Sequence, residues 1–126
     1  QLKKLPDIIA RKKEIHDLYY DRLSFLSSSF IPVKDVEHCT PVHWFTSFLC
    51  DHKKEMIEYL KKNNIQSREF FFPLNAQPCY TNEIIKNGNY ELSMNIFDRG
   101  ISLPSAYNLT EENQMVVINK LEEWLS

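Results

Sequence analysis

The sequence predicts an α+β domain, a small three-stranded sheet, antiparallel or mixed, covered by helices. Three observations predict it. Apolar residues recur at helical spacing through residues 1–27 and again through the last fifteen or so. Two aromatic, apolar stretches, around 43–50 and 65–72, are bounded by prolines and read as strands. A brief Ile101-Ser102-Leu103 run stopped by Pro104 supplies a third.

The first helix is predicted over 1–27. Leu5, Ile8, Ile9, Ile15, Leu18, Tyr19, Leu23 and Leu26 fall on one face, while Arg11, Lys12, Lys13 and Arg22 point elsewhere. Leu2 and Leu5 are already in phase with no N-cap residue before them, so this helix reads as cut from something longer. A link containing Pro32 follows. The strand His43–Cys50 comes next, then a helix over about 52–63 capped by Asp51. Met56, Ile57 and Leu60 form its dry face, and Lys53, Lys54, Glu58, Lys61 and Lys62 its wet one. Asn63-Asn64 closes it, because asparagine tolerates the left-handed conformation of a helix end.

After the strand 65–72 and its loop, the polar segment Thr81–Asn89 is expected to be mobile. A short helix Glu91–Arg99 ends at Gly100, and Thr110 caps the last helix with Glu111 and Glu112 in its first turn. Asn108-Leu109-Thr110 matches a glycosylation sequon but reads here as that helix start. Helices cover one face of such a sheet. The other stays aromatic, through Trp44, Phe45, Phe48 and Phe70–Phe72, and needs another domain or subunit against it.

Composition narrows the function. A chain of 126 residues is one domain. Fifteen basic and 17 acidic residues give a net charge of −2, so there is no basic field for nucleic acid. No apolar run reaches membrane-spanning length. Three cysteines without a close pair argue against a disulfide framework and for a reducing, cytoplasmic compartment. Only two glycines, Gly88 and Gly100, leave no phosphate-cradling loop of either common kind.

No catalytic residue is assigned. His38, Cys39 and His43 lack a fourth ligand at structural-zinc spacing, so no metal ligands are assigned either. His16 and His52 read as solvated, and Cys79 as a buried or bystander thiol with no nearby cation to activate it. Eight of the eleven lysines form adjacent pairs on helix exteriors, and none reads as a buried nucleophile.

The most informative stretch is residues 66–80. It runs from Arg68 through Phe70, Phe71 and Phe72 to Pro73, then presents Asn75, Gln77 and Tyr80 between prolines. A stiff loop anchored by aromatics and displaying amides and a phenol suits ligand or domain contact. It belongs to an ordered series: Leu5-Pro6-Asp7-Ile8-Ile9-Ala10-Arg11-Lys12-Lys13, Met56-Ile57-Glu58-Tyr59-Leu60, Ile65-Gln66-Ser67-Arg68, Phe72-Pro73-Leu74, Gln77-Pro78, Tyr80, Gly100-Ile101-Ser102-Leu103-Pro104 and Leu109-Thr110-Glu111-Glu112. This series resembles the C-terminal small domain of the DegT/StrS family of pyridoxal-phosphate-dependent nucleotide-sugar aminotransferases, with a loop like that of the perosamine-synthetase branch.

That resemblance implies an aspartate-aminotransferase-like (fold type I) parent, usually a homodimer, that moves an amino group from glutamate to a nucleotide-linked keto-sugar for O-antigen or similar polysaccharide sugars. It places pyridoxal phosphate in a large N-terminal domain absent from this chain, so the fragment is expected neither to bind cofactor nor to transaminate. It implies substrate contact by Arg68, Asn75, Gln77 and Tyr80. Asn75 stands where the family commonly has histidine, and an amide cannot exchange a proton near neutral pH. A second reading is a stand-alone aminotransferase remnant acting as an interaction or regulatory module.

Overall fold

Four strands pair antiparallel in the order β1-β2-β4-β3, one more than the sequence predicts. The computed structural model describes residues 2–80 and 88–126, and most of the segment expected to be mobile lies outside the described residues. The extra strand, β1 (Phe30–Pro32), is the link that Pro32 seemed to exclude. It lies at the sheet edge, where proline's missing donor costs nothing, and it pairs Phe30 with Cys50 and Pro32 with Phe48. The central strands are β2 (Thr46–Cys50) and β4 (Gly100–Leu103), in register Thr46↔Leu103 to Leu49↔Gly100. The second edge, β3, is only Arg68–Glu69, much shorter than the predicted 65–72. Phe70 still donates to Gly100 O at 3.4 Å, after which the chain leaves the sheet for Pro73.

Helix α1 spans Leu5–Leu23 and stops four residues before the predicted end. Ser24 folds back on it, its hydroxyl donating to Tyr20 O, and such local bonding competes with the helix ladder. Helix α2 spans Lys53–Lys62. Asp51 does not cap it; the position before the first turn is His52, without a side-chain cap, and the Asp51 carboxylate pairs with Arg99 at 2.8 Å. The far end follows the asparagine reading closely. Asn64 has φ of 59°, its N–H donates to Lys61 O at 3.0 Å, and Ile65 N–H reaches back to Leu60 O at 2.9 Å. Helix α3 covers Glu91–Arg99 as predicted.

Gly100 follows α3, where the sequence places the end of that helix. Its backbone is extended, not left-handed. The constraint is space: a Cβ there would collide with the Phe70 ring and the Ile96 carbonyl. In α4 (Glu111–Leu125) the Thr110 hydroxyl accepts from Asn113 N–H at 3.2 Å, the cap the sequence predicts.

The core gathers Ile15, Tyr19 and Leu23 of α1, Met56 and Leu60 of α2, and Val117, Ile118 and Leu121 of α4 around Phe30, Phe48, Ile101 and Leu103 of the sheet. Phe48 is therefore not on the open aromatic face; it stacks on Phe30 with centroids 4.5 Å apart, inside the core. Gln114, fully buried, donates to Ile15 O at 2.7 Å and fixes α4 against α1.

Only the second half of α1 enters this core. Leu5 and Ile9 of its leading part remain exposed, as do Leu2 in the 3-10 turn before it and Trp44, Phe71 and Phe72 beyond the sheet.

Candidate functional site

Three side chains of α1 reach across to the segment that follows β4. Arg11 donates to Leu109 O at 2.7 Å, Tyr19 donates to Pro104 O at 2.9 Å, and Lys12 donates to Ser105 O. Lys12 also donates to Trp44 O at 2.6 Å, joining that segment to the entry of β2. Burial holds the Lys12 ammonium below its ordinary pKa. The Tyr19 phenol is pushed upward by its burial in the core. These bonds frame a cleft of about 830 Å³ whose lining includes Lys12, Trp44, Phe45, Arg68, Ser105 and Asn108. Lysine has three donors, and the two carbonyls use two of Lys12's.

Arg68 also lines a second cleft, of about 530 Å³, walled by Phe45, Ile57, Phe70 and Phe71. Its backbone pairs with Ser102 across β3–β4, which sets its position on the sheet's open side. There Ser47 and Ser102 join hydroxyls at 2.9 Å. Arg68 is exposed and forms no ion pair among the described residues. A guanidinium between a polar cleft and an aromatic one can take a phosphate or carboxylate bidentately.

Asn75, Gln77 and Tyr80 occupy the succeeding loop. Pro73 is buried and anchors a single 3-10 turn, Leu74–Ala76, with Ala76 N–H bonded to Pro73 O at 3.0 Å and Gln77 N–H to Leu74 O at 3.1 Å. Asn75 and Gln77 are partly buried and Tyr80 is exposed. None of the three lines either of the clefts beside Arg68. Within this chain, the fold brings Arg68 together with Lys12, Trp44 and Ser105 instead.

Two lysines depart from the expected exterior placement. Lys53 is buried: its ammonium sits 2.8 Å from a Glu69 oxygen, donates to Phe97 O at 2.6 Å and lies over the Phe97 ring. Lys12 is committed as described. Neither amine is free for a cofactor aldehyde. These two lysines therefore do not fit the covalent site of pyridoxal phosphate, and no step through that group is assigned to them.

The sequence pattern missed Lys12 because Lys12-Lys13 looks like a solvated pair. Only Lys13 fits that description, paired with Asp17 on the helix exterior. Its signal was the phase of α1, since Lys12 follows Ile8 by four residues and precedes Ile15 by three.

His16 differs from its solvated reading too. It is half-buried and stacks on His43 with ring centroids 3.8 Å apart. Cys79 is exposed, as is Cys39.

The fold recurs in solved sugar aminotransferases. The chain superposes on DesV of S. venezuelae with a TM-score of 0.91 at 19% identity, covering 99% of this chain and 34% of that one. It superposes on the pyridoxal-phosphate form of the sugar aminotransferase Spr1654 of Streptococcus pneumoniae with a TM-score of 0.82 at 23% identity, covering 100% and 34%. The fold is thus that of a portion, about a third, of fold type I sugar aminotransferases.

Residues 1–122 match the DegT/DnrJ/EryC1/StrS aminotransferase family, and the chain belongs to it. It is 29% identical over 129 aligned positions to the GDP-perosamine synthase of Escherichia coli O157:H7, covering 100% of this chain and 34% of that enzyme. The chain spans about a third of the length of the curated relatives it matches.

Proposed function

We propose that this chain is the C-terminal small domain of a pyridoxal-phosphate-dependent aminotransferase that moves an amino group from glutamate to the keto carbon of a nucleotide-linked sugar. The parent enzyme works in the cytoplasm as a homodimer and serves the making of O-antigen or related polysaccharide sugars. Pyridoxal phosphate, when bound, supplies the electron sink for amino transfer, and its anchoring residues lie in the partner domain. This chain's part is to bind and shield the sugar nucleotide.

One observation carries the reading: Arg68 and Lys12 line the same cleft in a chain belonging to this aminotransferase family. Arg68 offers its fork to the diphosphate, and Lys12 holds the Trp44 and Ser105 carbonyls that shape the wall. Asn75, Gln77 and Tyr80 contact the sugar once the large domain closes over their loop. Asn75 acts there as a hydrogen-bond partner and not as an acid or base. Exposed Leu2, Leu5, Ile9, Trp44 and Phe71 support a neighbouring domain, since apolar surface of this extent is normally covered.

The test is steady-state kinetics of the protein that carries this chain. Arg68→Ala should raise KM for the nucleotide sugar about tenfold or more, the loss expected for a charged hydrogen-bond pair, with KM for glutamate unchanged. An unchanged nucleotide-sugar KM would remove Arg68 from the site. A native protein without a pyridoxal chromophore would overturn the whole reading and favour an interaction module.

A further inference from the structure

Away from the cleft, α1 and the segment between β1 and β2 bring three metal-ligating side chains together. His16 comes from the helix, Asp35 and His43 from the connecting segment. One donor atom from each lies within 4.8 Å of the other two. The Asp35 carboxylate is 3.9 Å from His43 Nε2, and the two imidazoles are stacked. The His43 side chain is 9% exposed, while Asp35 is 48% exposed and leaves a path from solvent.

The arrangement is hard to explain as packing alone. Stacked histidines are poor apolar partners, and His16 Nδ1 is buried without any hydrogen-bond partner. Such a nitrogen is costly to leave unmade unless something binds it.

We propose that His16, Asp35 and His43 form a binding site for a divalent cation of the zinc class. Two imidazole nitrogens and one carboxylate oxygen are the donor set such an ion takes, with water at the remaining position. The Asp35–His43 pair, at 3.9 Å, sits wider than the roughly 3.5 Å that tetrahedral ligation at zinc distances dictates, and binding must tilt the two stacked rings apart so that their in-plane nitrogens converge on one ion. The ion ties the β1–β2 connection to α1. His43 precedes Trp44, whose carbonyl receives Lys12, so the same tie steadies one wall of the cleft. This site stands on its own geometry and does not depend on the aminotransferase reading.

Zinc chloride is titrated calorimetrically into the chelator-treated 126-residue chain carrying Cys39→Ser and Cys79→Ser, which removes both exposed thiols as competing ligands. One ion should bind per chain. The ring resonances of His16 and His43 should move, while those of His38 and His52 stay in place. Asp35→Asn and His43→Gln should each weaken binding at least about tenfold, with circular dichroism verifying that the fold is kept. His16→Gln provides a second route if His43→Gln unfolds. Absence of binding at millimolar zinc, binding that survives these substitutions, or shifts centred on His38 would each overturn the site.

Discussion

Lys12 and Lys13 are neighbours with opposite fates, and the difference is a rotation of 100° about α1. Lys13 stays in water beside Asp17; Lys12 turns toward Trp44 and Ser105. Cysteine divides in the same manner. Burial pushes the Cys50 thiol up from its ordinary pKa, whereas Cys39 and Cys79 are exposed. The thiolate is the reactive form, so a raised pKa lowers its fraction near neutral pH and exposure governs access. A disulfide reagent at pH 7.5 should therefore label Cys39 and Cys79 quickly and Cys50 only as fast as the domain opens. Peptide mapping that found Cys50 labelled with the other two would contradict its burial in β2 beside Phe30.

Gly100 gives a second prediction at this scale. Gly100→Ala must push a methyl group into Phe70 and the Ile96 carbonyl, so it should cost about 1–3 kcal/mol in chemical denaturation. A neutral result would mean that Phe70 moves aside freely. The sequence located this glycine at the helix end, although its backbone is extended rather than of the positive φ common there. The close approach of an aromatic from just beyond β3 has no local signature.

At the scale of elements, helices were more legible than strands. Thr110 with Glu111 and Glu112 announced the start of α4, and Asn63-Asn64 the end of α2, because capping is chemistry between residues close in sequence. Thr110→Ala should accordingly cost about 1 kcal/mol, read as a lower denaturation midpoint with an unchanged slope. An unaltered midpoint would show that Asn113 N–H finds another acceptor. Strand β1 escaped notice because its partner, Cys50, lies twenty residues on and its proline argues against a strand except at an edge. The aromatic run Phe70–Phe72 inflated β3, yet the strand ends at Glu69, ahead of all three phenylalanines and of Pro73. The cleft was partly legible. Arg68 stood out on its strand, but Lys12, Trp44 and Ser105 meet it only through the packing of α1 across the sheet end.

For the whole molecule, the unfinished surfaces matter most. The first half of α1 and the turn before it carry Leu5, Ile9 and Leu2 into solvent, and Trp44, Phe45 and Phe71 form an aromatic group beside Arg68. In the proposed parent enzyme both surfaces meet the larger domain, and the clefts become walls of an enclosed substrate site. Buried Lys53 is held by a carboxylate and a carbonyl, and half-buried Lys12 by two carbonyls. The most direct measurement is to incubate the protein that carries this chain with ¹⁵N-glutamate, pyridoxal phosphate and GDP- or UDP-linked 4-keto sugars, and to weigh the nucleotide sugar by mass spectrometry. The account predicts an amino sugar bearing ¹⁵N. A native protein that leaves every keto-sugar unchanged and gives no pyridoxal absorbance would contradict it.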